Sequence, residues 1–268
     1  MPDVVLNGVR LHFLSDGPRT AEPVPTVVML HGFARNGSFW RGWLPALADR
    51  FRVVRPDIRG CGGSADPGGA FRLEDVVDDL IALADHLGLE RMHLVGESTG
   101  GIAGVLAAAA HPSRFASITL ISTPVSPARG DDRVMSPEAE SPVESLKKLG
   151  LRRWWLESRA LTGDLFGDER DDELAAEFAR TPLRVAVEMW EAMHDPALTL
   201  EPYLPMLRLP VLVMTPTSSL TVSAEDQDEL ARSVAGARQI IYRGAPHFVM
   251  YLDPERLAAD YVAFLDSL

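Results

Sequence analysis

The stretch Gly96-Glu97-Ser98-Thr99-Gly100 decides the fold, because of what stands on either side of it. The short apolar run Met92-His93-Leu94-Val95 precedes it, and a small, alanine-rich run at residues 101–110 follows it. A G-x-S-x-G pentapeptide between a strand and a helix is typical of a nucleophile elbow, a sharp turn that aims a serine hydroxyl out of the sheet. The helix N-terminus beneath the turn favours developing negative charge. The sequence therefore predicts Ser98 as a nucleophile.

Short apolar runs alternate with helical patterns along most of the chain. Continuous apolar strands that alternate with helices indicate a mostly parallel sheet covered on both faces. Asn7-Gly8 separates two further apolar runs and favours a tight hairpin turn. We therefore predict an α/β fold with helices on both faces of the sheet. The predicted parallel strands are residues 26–30, 52–55, 92–95, 117–121, 211–214 and 239–242.

One stretch, from about residue 124 to residue 204, breaks this alternation. It begins with a segment rich in Pro, Ser and Asp, and three helical patterns follow at about 143–161, 169–180 and 183–194. Since this stretch lies between two strand signals, we predict a small helical lid inserted into the fold. The predicted lid is residues 125–204, and the predicted core is residues 1–124 and 205–268.

Composition limits the classes of partner. The chain has 268 residues and a formal net charge of −12, which argues against nucleic acid or an anionic membrane as a partner. Cys61 is the only cysteine, so no internal disulfide is possible. No signal-peptide pattern opens the chain, and no run reaches the ~20 apolar residues of a membrane span. We expect a cytoplasmic protein with a small-molecule substrate, and the oligomeric state stays open.

No metal or organic cofactor is expected. The chain has no H-E-x-x-H motif, no clustered Cys and His, and no dinucleotide fingerprint with its acidic partner.

Three further motifs, together with the elbow, resemble the α/β-hydrolase family over nearly the whole chain. His31-Gly32-Phe33 follows a predicted strand, where this family places a loop that completes its oxyanion hole. Asp57-Ile58-Arg59-Gly60-Cys61-Gly62-Gly63-Ser64 is similar to the family's D-x-R-G-x-G-x-S turn. Gly244-Ala245-Pro246-His247-Phe248 follows the last strand, as the family's catalytic histidine does, and the order of serine before histidine also agrees.

The resemblance implies a role for each of these residues. Ser98 is a poor nucleophile until a base removes its proton, and His247 suits that task near neutral pH. The backbone N–H groups of Phe33 and Thr99 would stabilise the oxyanion, each contributing ~3–4 kcal/mol. His31 is expected to order its loop rather than to act as a base.

The acid of the usual triad is missing from its place. The family carries it after the strand that here is residues 211–214, where this chain has Ser218 or Ser219. The alternative place, one strand earlier, reads Ile121-Ser122-Thr123-Pro124 and also lacks a carboxylate. The next acids, Glu225 and Asp226, have the pattern of a helix first turn. Loss of the acid costs ~10⁴ in turnover in a Ser/His/Asp triad.

Three explanations stay open at this stage. Ser218 or Ser122 and a backbone carbonyl would steady a Ser–His dyad, a carboxylate from an unexpected loop would fill the place, or the pocket has lost hydrolysis. Thr215-Pro216-Thr217 is also similar to the zearalenone-hydrolase-like, lactone-cleaving branch of the family, although that branch uses an acid this chain lacks.

Bulky apolar residues of the predicted lid and of the catalytic loops suggest an apolar or aromatic substrate. About half of them are expected only to attach the lid to the core. Arg35 is interpreted as a solvated loop residue. The residues expected at the substrate are His31, Trp154, Trp155, Met189, Trp190 and Phe248.

The sequence thus predicts a hydrolase that cleaves a carboxylic ester or lactone through Ser98 and His247. A lyase or cyclase that uses the same pair without an acyl-enzyme is the first alternative. A non-catalytic ligand-binding homologue, suggested by the missing acid, is the second.

Overall fold

An eight-stranded sheet organises the chain, with the strand order β1-β2-β4-β3-β5-β6-β7-β8. This computed structural model describes residues 3–18, 24–129, 135–162, 167 and 169–268. Strands β3 to β8 run parallel to one another, while β2 pairs antiparallel with both β1 and β4. The strands are β1 Asp3–Leu6, β2 Val9–Asp16, β3 Thr26–Leu30, β4 Arg52–Pro56, β5 Met92–Glu97, β6 Phe115–Ile121, β7 Val211–Pro216 and β8 Arg238–Tyr242.

The α-helices in the described residues follow the predicted alternation. Every residue of β3 is buried, which is why the run has apolar side chains on both faces rather than alternating ones. The predicted α/β fold is therefore confirmed. The helices are α1 Leu44–Leu47, α2 Leu73–His86, α3 Thr99–Ala110, α4 Pro142–Thr162, α5 Glu169–Phe178, α6 Leu183–Met193, α7 Ala224–Ser233, α8 Val249–Leu252 and α9 Pro254–Leu265.

The β1–β2 hairpin forms as the dipeptide Asn7-Gly8 indicates. Both residues have positive φ, 48° at Asn7 and 77° at Gly8, and Leu6 pairs with Val9 across the turn. This is the backbone pattern that the right-handed twist of a two-residue hairpin favours.

Helices α4, α5 and α6 fill the chain between β6 and β7, and no strand interrupts the described residues there. The predicted helical patterns are thus confirmed, whereas the division into core and lid stays a prediction. Gly150 interrupts α4 with a non-helical backbone (φ 69°, ψ 160°), so α4 consists of two helical halves. Residues 130–134, part of the Pro, Ser and Asp-rich segment, lie outside the described residues.

None of the described helices combines the length and the hydrophobicity that a transmembrane helix needs.

Candidate active site

Ser98 stands at the turn between β5 and α3, near the middle of the sheet. Its backbone has φ 49° and ψ −115°, a strained conformation for a residue with a side chain. The Ser98 amide donates to the carbonyl of Ile121 on the neighbouring strand, at 3.0 Å. A Cβ on Gly96 would lie 2.6 Å from the Gly100 carbonyl oxygen, and one on Gly100 would lie 2.5 Å from that of Leu30. The glycines of the pentapeptide are therefore required by close backbone packing, as an elbow demands.

A cavity of about 670 Å³, including its mouth, opens above the elbow. Ser98 and His247 both line it, so two residues about 150 positions apart meet at one site. Six aromatic side chains form much of its surface, and we call them the aromatic wall. They are Phe33, Trp154, Trp155, Phe178, Trp190 and Phe248.

The rings of the aromatic wall pack mainly edge to face around Phe33. Its centroid lies 5.4 Å from that of Trp190, 5.9 Å from that of Trp154 and 5.6 Å from that of Phe178. Such pairs add to the stability that burial of the rings supplies. Four of the six residues expected at the substrate line the cavity: Trp154, Trp155, Trp190 and Phe248.

The structure removes His31 and Met189 from the residues expected at the substrate. His31 is fully buried, and its Nδ1 contacts the Gly32 carbonyl at 2.8 Å while its Nε2 accepts from the Ile58 amide at 2.9 Å. The imidazole thereby joins two loops, in keeping with the ordering role expected for it. Met189 faces the core instead, where its sulfur lies 4.0 Å from the sulfur of Cys61.

The imidazole of His247 is held from both of its nitrogens. Nδ1 lies 3.0 Å from the hydroxyl of Thr221 and 3.2 Å from that of Ser219. Nε2 lies 3.3 Å from Oε1 of Glu97. Within the described residues, no direct hydrogen bond joins the Ser98 hydroxyl to the imidazole.

The residues considered for the missing acid fall into different places. Ser219 contacts the imidazole, whereas Ser122 donates to the main-chain carbonyl of His247 at 2.9 Å. Asp226 accepts from the Val125 amide at 2.9 Å, and Glu225 is exposed on α7. Neither of these two acids therefore orients the imidazole.

Ser218 directly precedes Ser219 in the loop that follows β7. The contact recorded for Ser218 is made by its main-chain amide, which donates to the Ala245 carbonyl at 2.9 Å. Ser219, rather than Ser218, is thus the hydroxyl beside the imidazole.

A carboxylate from an unexpected position does reach the site, and it is Glu97. Glu97 is the variable residue of the G-x-S-x-G pentapeptide, and its side chain is fully buried. Its Oε2 accepts from Nη1 of Arg35 at 3.0 Å. The Arg35 guanidinium lies between two rings, 4.2 Å from the centroid of Phe39 and 4.1 Å from that of Phe248. Arg35 is thus a buried ion-pair partner, and its interpretation as a solvated residue is wrong.

The charges of this group can be assigned from their surroundings. Burial opposes ionisation of Glu97, but the guanidinium of Arg35 and the imidazole of His247 outweigh it and lower the pKa of Glu97. Burial lowers the pKa of His247, and the positive charges of Arg35 and Arg159 act in the same direction against the opposing effect of Glu97. Near neutral pH the site therefore contains an ionised Glu97 and a neutral imidazole.

These charges also assign the tautomer of His247. An ionised carboxylate is an acceptor only, so Nε2 carries the proton that faces Glu97. Nδ1 then accepts a hydrogen bond from a hydroxyl of Ser219 or Thr221. The Ser219 hydroxyl oxygen in turn accepts from the Val222 amide at 3.1 Å, which leaves its proton available for the ring.

The residues expected to form the oxyanion hole flank the elbow. Phe33 follows β3 and lines the cavity, and Thr99 is the first residue of α3. First-turn amides of a helix have no acceptor within the helix. Their function as oxyanion donors stays a prediction.

Among the described side chains, no group of three or more His, Cys, Asp or Glu residues is arranged to hold a metal ion.

A family model described as the alpha/beta hydrolase fold matches residues 25–254. The chain belongs to the α/β-hydrolase fold family. A putative carbamate hydrolase, RutD, from Caulobacter sp. (strain K31) is 39% identical over 115 residues, 41% of each chain. Epoxide hydrolase A from Mycobacterium tuberculosis is 37% identical over 124 residues, which are 45% of this chain and 38% of that protein. The matches thus span about two fifths of the length of these curated relatives.

Similarity to solved structures extends over the whole fold. The enol-lactonase from Burkholderia xenovorans LB400 superposes with a TM-score of 0.80 at 28% identity, covering 99% of this chain and all of that one. A hydrolase from Pseudomonas aeruginosa superposes with a TM-score of 0.81 at 26% identity, covering 98% of this chain and 97% of that one. Of the four proteins named here, three are described as hydrolases and one as an enol-lactonase.

Proposed function

We propose that this α/β-hydrolase cleaves a carboxylic ester or lactone of an apolar or aromatic small molecule, with Ser98 as nucleophile and His247 as base. One observation carries the proposal: a strained serine at a strand–helix elbow opens into the cavity that His247 and the aromatic wall share. The resemblance to an enol-lactonase and the hydrolase names of the relatives agree with it. Helices α4 to α6 act as the lid in this proposal, since α4 and α6 supply three of the wall's rings.

The reaction follows from the groups at the site. The Ser98 oxygen attacks the substrate carbonyl, its proton passes by way of the Thr221 hydroxyl to His247 Nδ1, and the carbonyl electron pair moves onto the oxygen. The amides of Phe33 and Thr99 stabilise that oxyanion. The imidazolium then protonates the departing alkoxide, and water cleaves the acyl-enzyme by the same steps. Rotation of the Ser98 hydroxyl toward the Thr221–His247 pair precedes attack, because catalytic hydrogen bonds tighten when substrate binds.

The test combines covalent labelling with turnover of p-nitrophenyl esters. A serine-directed fluorophosphonate is expected to label the native protein once, at Ser98. Ser98→Ala and His247→Ala should each lose ~10⁶ in kcat, as when the serine or histidine of a triad is removed. Ser113→Ala and His86→Ala are matched controls at exposed positions and should retain native turnover. Native turnover by Ser98→Ala would rule out the proposed nucleophile.

A second candidate is a lyase or cyclase that uses Ser98 and His247 for proton transfer without an acyl-enzyme. The proton of His247 Nε2 faces Glu97, and no direct hydrogen bond joins the ring to Ser98, which favours this alternative. Reaction in ¹⁸O-labelled water separates the two. Hydrolysis places the label in the product acid, and a lyase leaves the product unlabelled. Labelling at Ser98 without turnover of any ester would favour a ligand-binding protein instead.

A further inference from the structure

A buried chain of three charged or titratable side chains connects two catalytic loops. Arg35 comes from the loop after β3, Glu97 from the end of β5, and His247 from the loop after β8. Arg35 Nη1 lies 3.0 Å from Glu97 Oε2, and Glu97 Oε1 lies 3.3 Å from His247 Nε2. The side chain of Glu97 is 0% exposed, and that of Arg35 is 10% exposed.

The fold leaves the Glu97 carboxylate little freedom to move. A Cβ on Gly32 would lie 2.1 Å from Oε2, so the carboxylate occupies space that exists only because residue 32 is glycine. Its partner Arg35 is held between the rings of Phe39 and Phe248. A charge that is buried, paired and fixed in this way has a strong and directional effect on a neighbouring imidazole.

We propose that Glu97, fixed by Arg35, replaces the missing triad acid as a positioning residue that stabilises the imidazolium of His247. This inference rests on the function proposed above. In the usual arrangement the acid contacts the ring nitrogen remote from the serine. Here the carboxylate contacts the ring through Nε2, and the hydroxyls of Ser219 and Thr221 occupy the Nδ1 side.

The proton balance of the first step explains why a charge is needed. When the Ser98 oxygen bonds to the substrate carbon, the Thr221 hydroxyl, which lines the same cavity, takes the Ser98 proton and gives its own proton to Nδ1, so that both ring nitrogens then carry protons. Nε2–H faces Glu97 Oε1 at 3.3 Å, and Nδ1–H donates to a hydroxyl that has reversed its role from donor to acceptor. The hydroxyls orient the ring in both states but carry no charge to offset that of the imidazolium.

The other charged groups near the ring oppose its protonation. Arg35 from the β3 loop and Arg159 from α4 both lower the pKa of His247, and Glu97 acts against them. His31, also buried nearby, adds no charge, because its Nε2 accepts from the Ile58 amide and is therefore unprotonated. Glu97 is therefore the carboxylate, among the described residues, that compensates the positive surroundings of the base.

The decisive variant is Glu97→Gln, which keeps the size of the side chain and an oxygen for Arg35 while removing the charge. Its amide N–H then faces Nε2 and opposes a proton there. The pKa that defines the acidic limb of the kcat/KM profile, where protonation of His247 removes activity, should fall by about one pKa unit or more. An adjacent opposite charge typically accounts for ~1–3 pKa units. The plateau of kcat should fall at least about tenfold. Glu225→Gln, an exposed carboxylate on α7, is the matched control and should change neither.

The outcomes separate this inference from the proposed function. If Ser98→Ala is inactive and Ser98 is labelled, but Glu97→Gln has a native pH profile and kcat, the inference about Glu97 is overturned and the function stands. If Ser98→Ala is fully active, the proposed function fails first. The inference is also overturned if Glu97→Gln loses activity only in proportion to the fraction of protein that is unfolded, while the acidic limb stays at its native pH.

A second variant covers the case in which Glu97→Gln does not fold. Glu97→Asp keeps the charge but withdraws it by one methylene. It should move the acidic limb in the same direction by a smaller amount and retain more turnover. An unmoved limb in the folded Glu97→Asp protein, together with native kcat, would overturn the inference equally.

Discussion

Ser219→Asp places a carboxylate where the usual acid of the family is missing. The Ser219 hydroxyl lies 3.2 Å from His247 Nδ1 and also accepts from the Val222 amide at 3.1 Å. An aspartate oxygen accepts from the Val222 amide as the hydroxyl does, and it accepts from Nδ1–H once the ring is protonated, so the substitution favours the protonated ring over the neutral one. The new carboxylate stabilises the protonated ring, and the pKa of His247 should therefore rise.

The size of this effect follows from the geometry. Two unit charges at about 4 Å interact by about 4 kcal/mol at an effective dielectric constant of 20. Burial of the new carboxylate offsets part of this, because Ser219 is only 9% exposed. A net rise of about one pKa unit corresponds to about 1.4 kcal/mol. If the same stabilisation is expressed in the transition state, kcat increases about tenfold.

Ester hydrolysis measured across the acidic limb of kcat/KM tests this prediction. Ser219→Asp should move the limb to higher pH, and Ser219→Asn, which has the same shape without the charge, is the matched control. The gain in kcat should be larger in a Glu97→Gln background, since the native carboxylate no longer supplies charge there. The reasoning is refuted if the aspartate and asparagine variants have the same limb and the same kcat.

Three further predictions concern the groups around Glu97. Gly32→Ala should reduce kcat at least about tenfold, because its Cβ would stand 2.1 Å from Glu97 Oε2; native kcat in the folded variant would contradict this steric argument. Arg35→Met should lower the free energy of unfolding by about 3–5 kcal/mol, since it leaves the buried carboxylate of Glu97 without its partner. Urea titration measures this free energy, and a loss below about 1 kcal/mol would contradict the prediction. The midpoint of the acidic limb in the native kcat/KM profile should lie below pH 6.5, because burial lowers the pKa of His247 and the base must be unprotonated. A midpoint above pH 6.5 would contradict the assignment of His247 as the base.

The architecture was predictable because each element has a local signal. The apolar run at residues 26–30 coincides with β3, and the helical pattern at residues 183–194 differs from α6 by one residue. The position of Ser98 follows from the short-range requirement for glycine on both sides of the elbow. These features depend on neighbours in the chain, which the sequence displays directly.

The group around the base was not predictable in the same way. Glu97 stands at a variable position of the G-x-S-x-G motif, where the motif does not specify the residue type. Arg35 lies in a polar loop where an arginine is ordinarily exposed to solvent. Their burial results from the meeting of β5 with loops that follow β3 and β8. Thr221 was missed for the same reason, since its contact with His247 spans 26 residues. Only an unusual acid beside the serine offered a signal.

The break in α4 at Gly150 sets the helical half that carries cavity-lining tryptophans apart from the rest of the helix. Trp154 and Trp155 lie on the half of α4 that follows the break, whereas Ser98 and the buried carboxylate beside it belong to the central strand and its turn. Reorienting or replacing that distal half would reshape the cavity, while Ser98 and Glu97 would keep the places that β5 and its turn give them. In the proposed function, that half of α4 would therefore shape the substrate space and, through Arg159, also tune the pKa of His247.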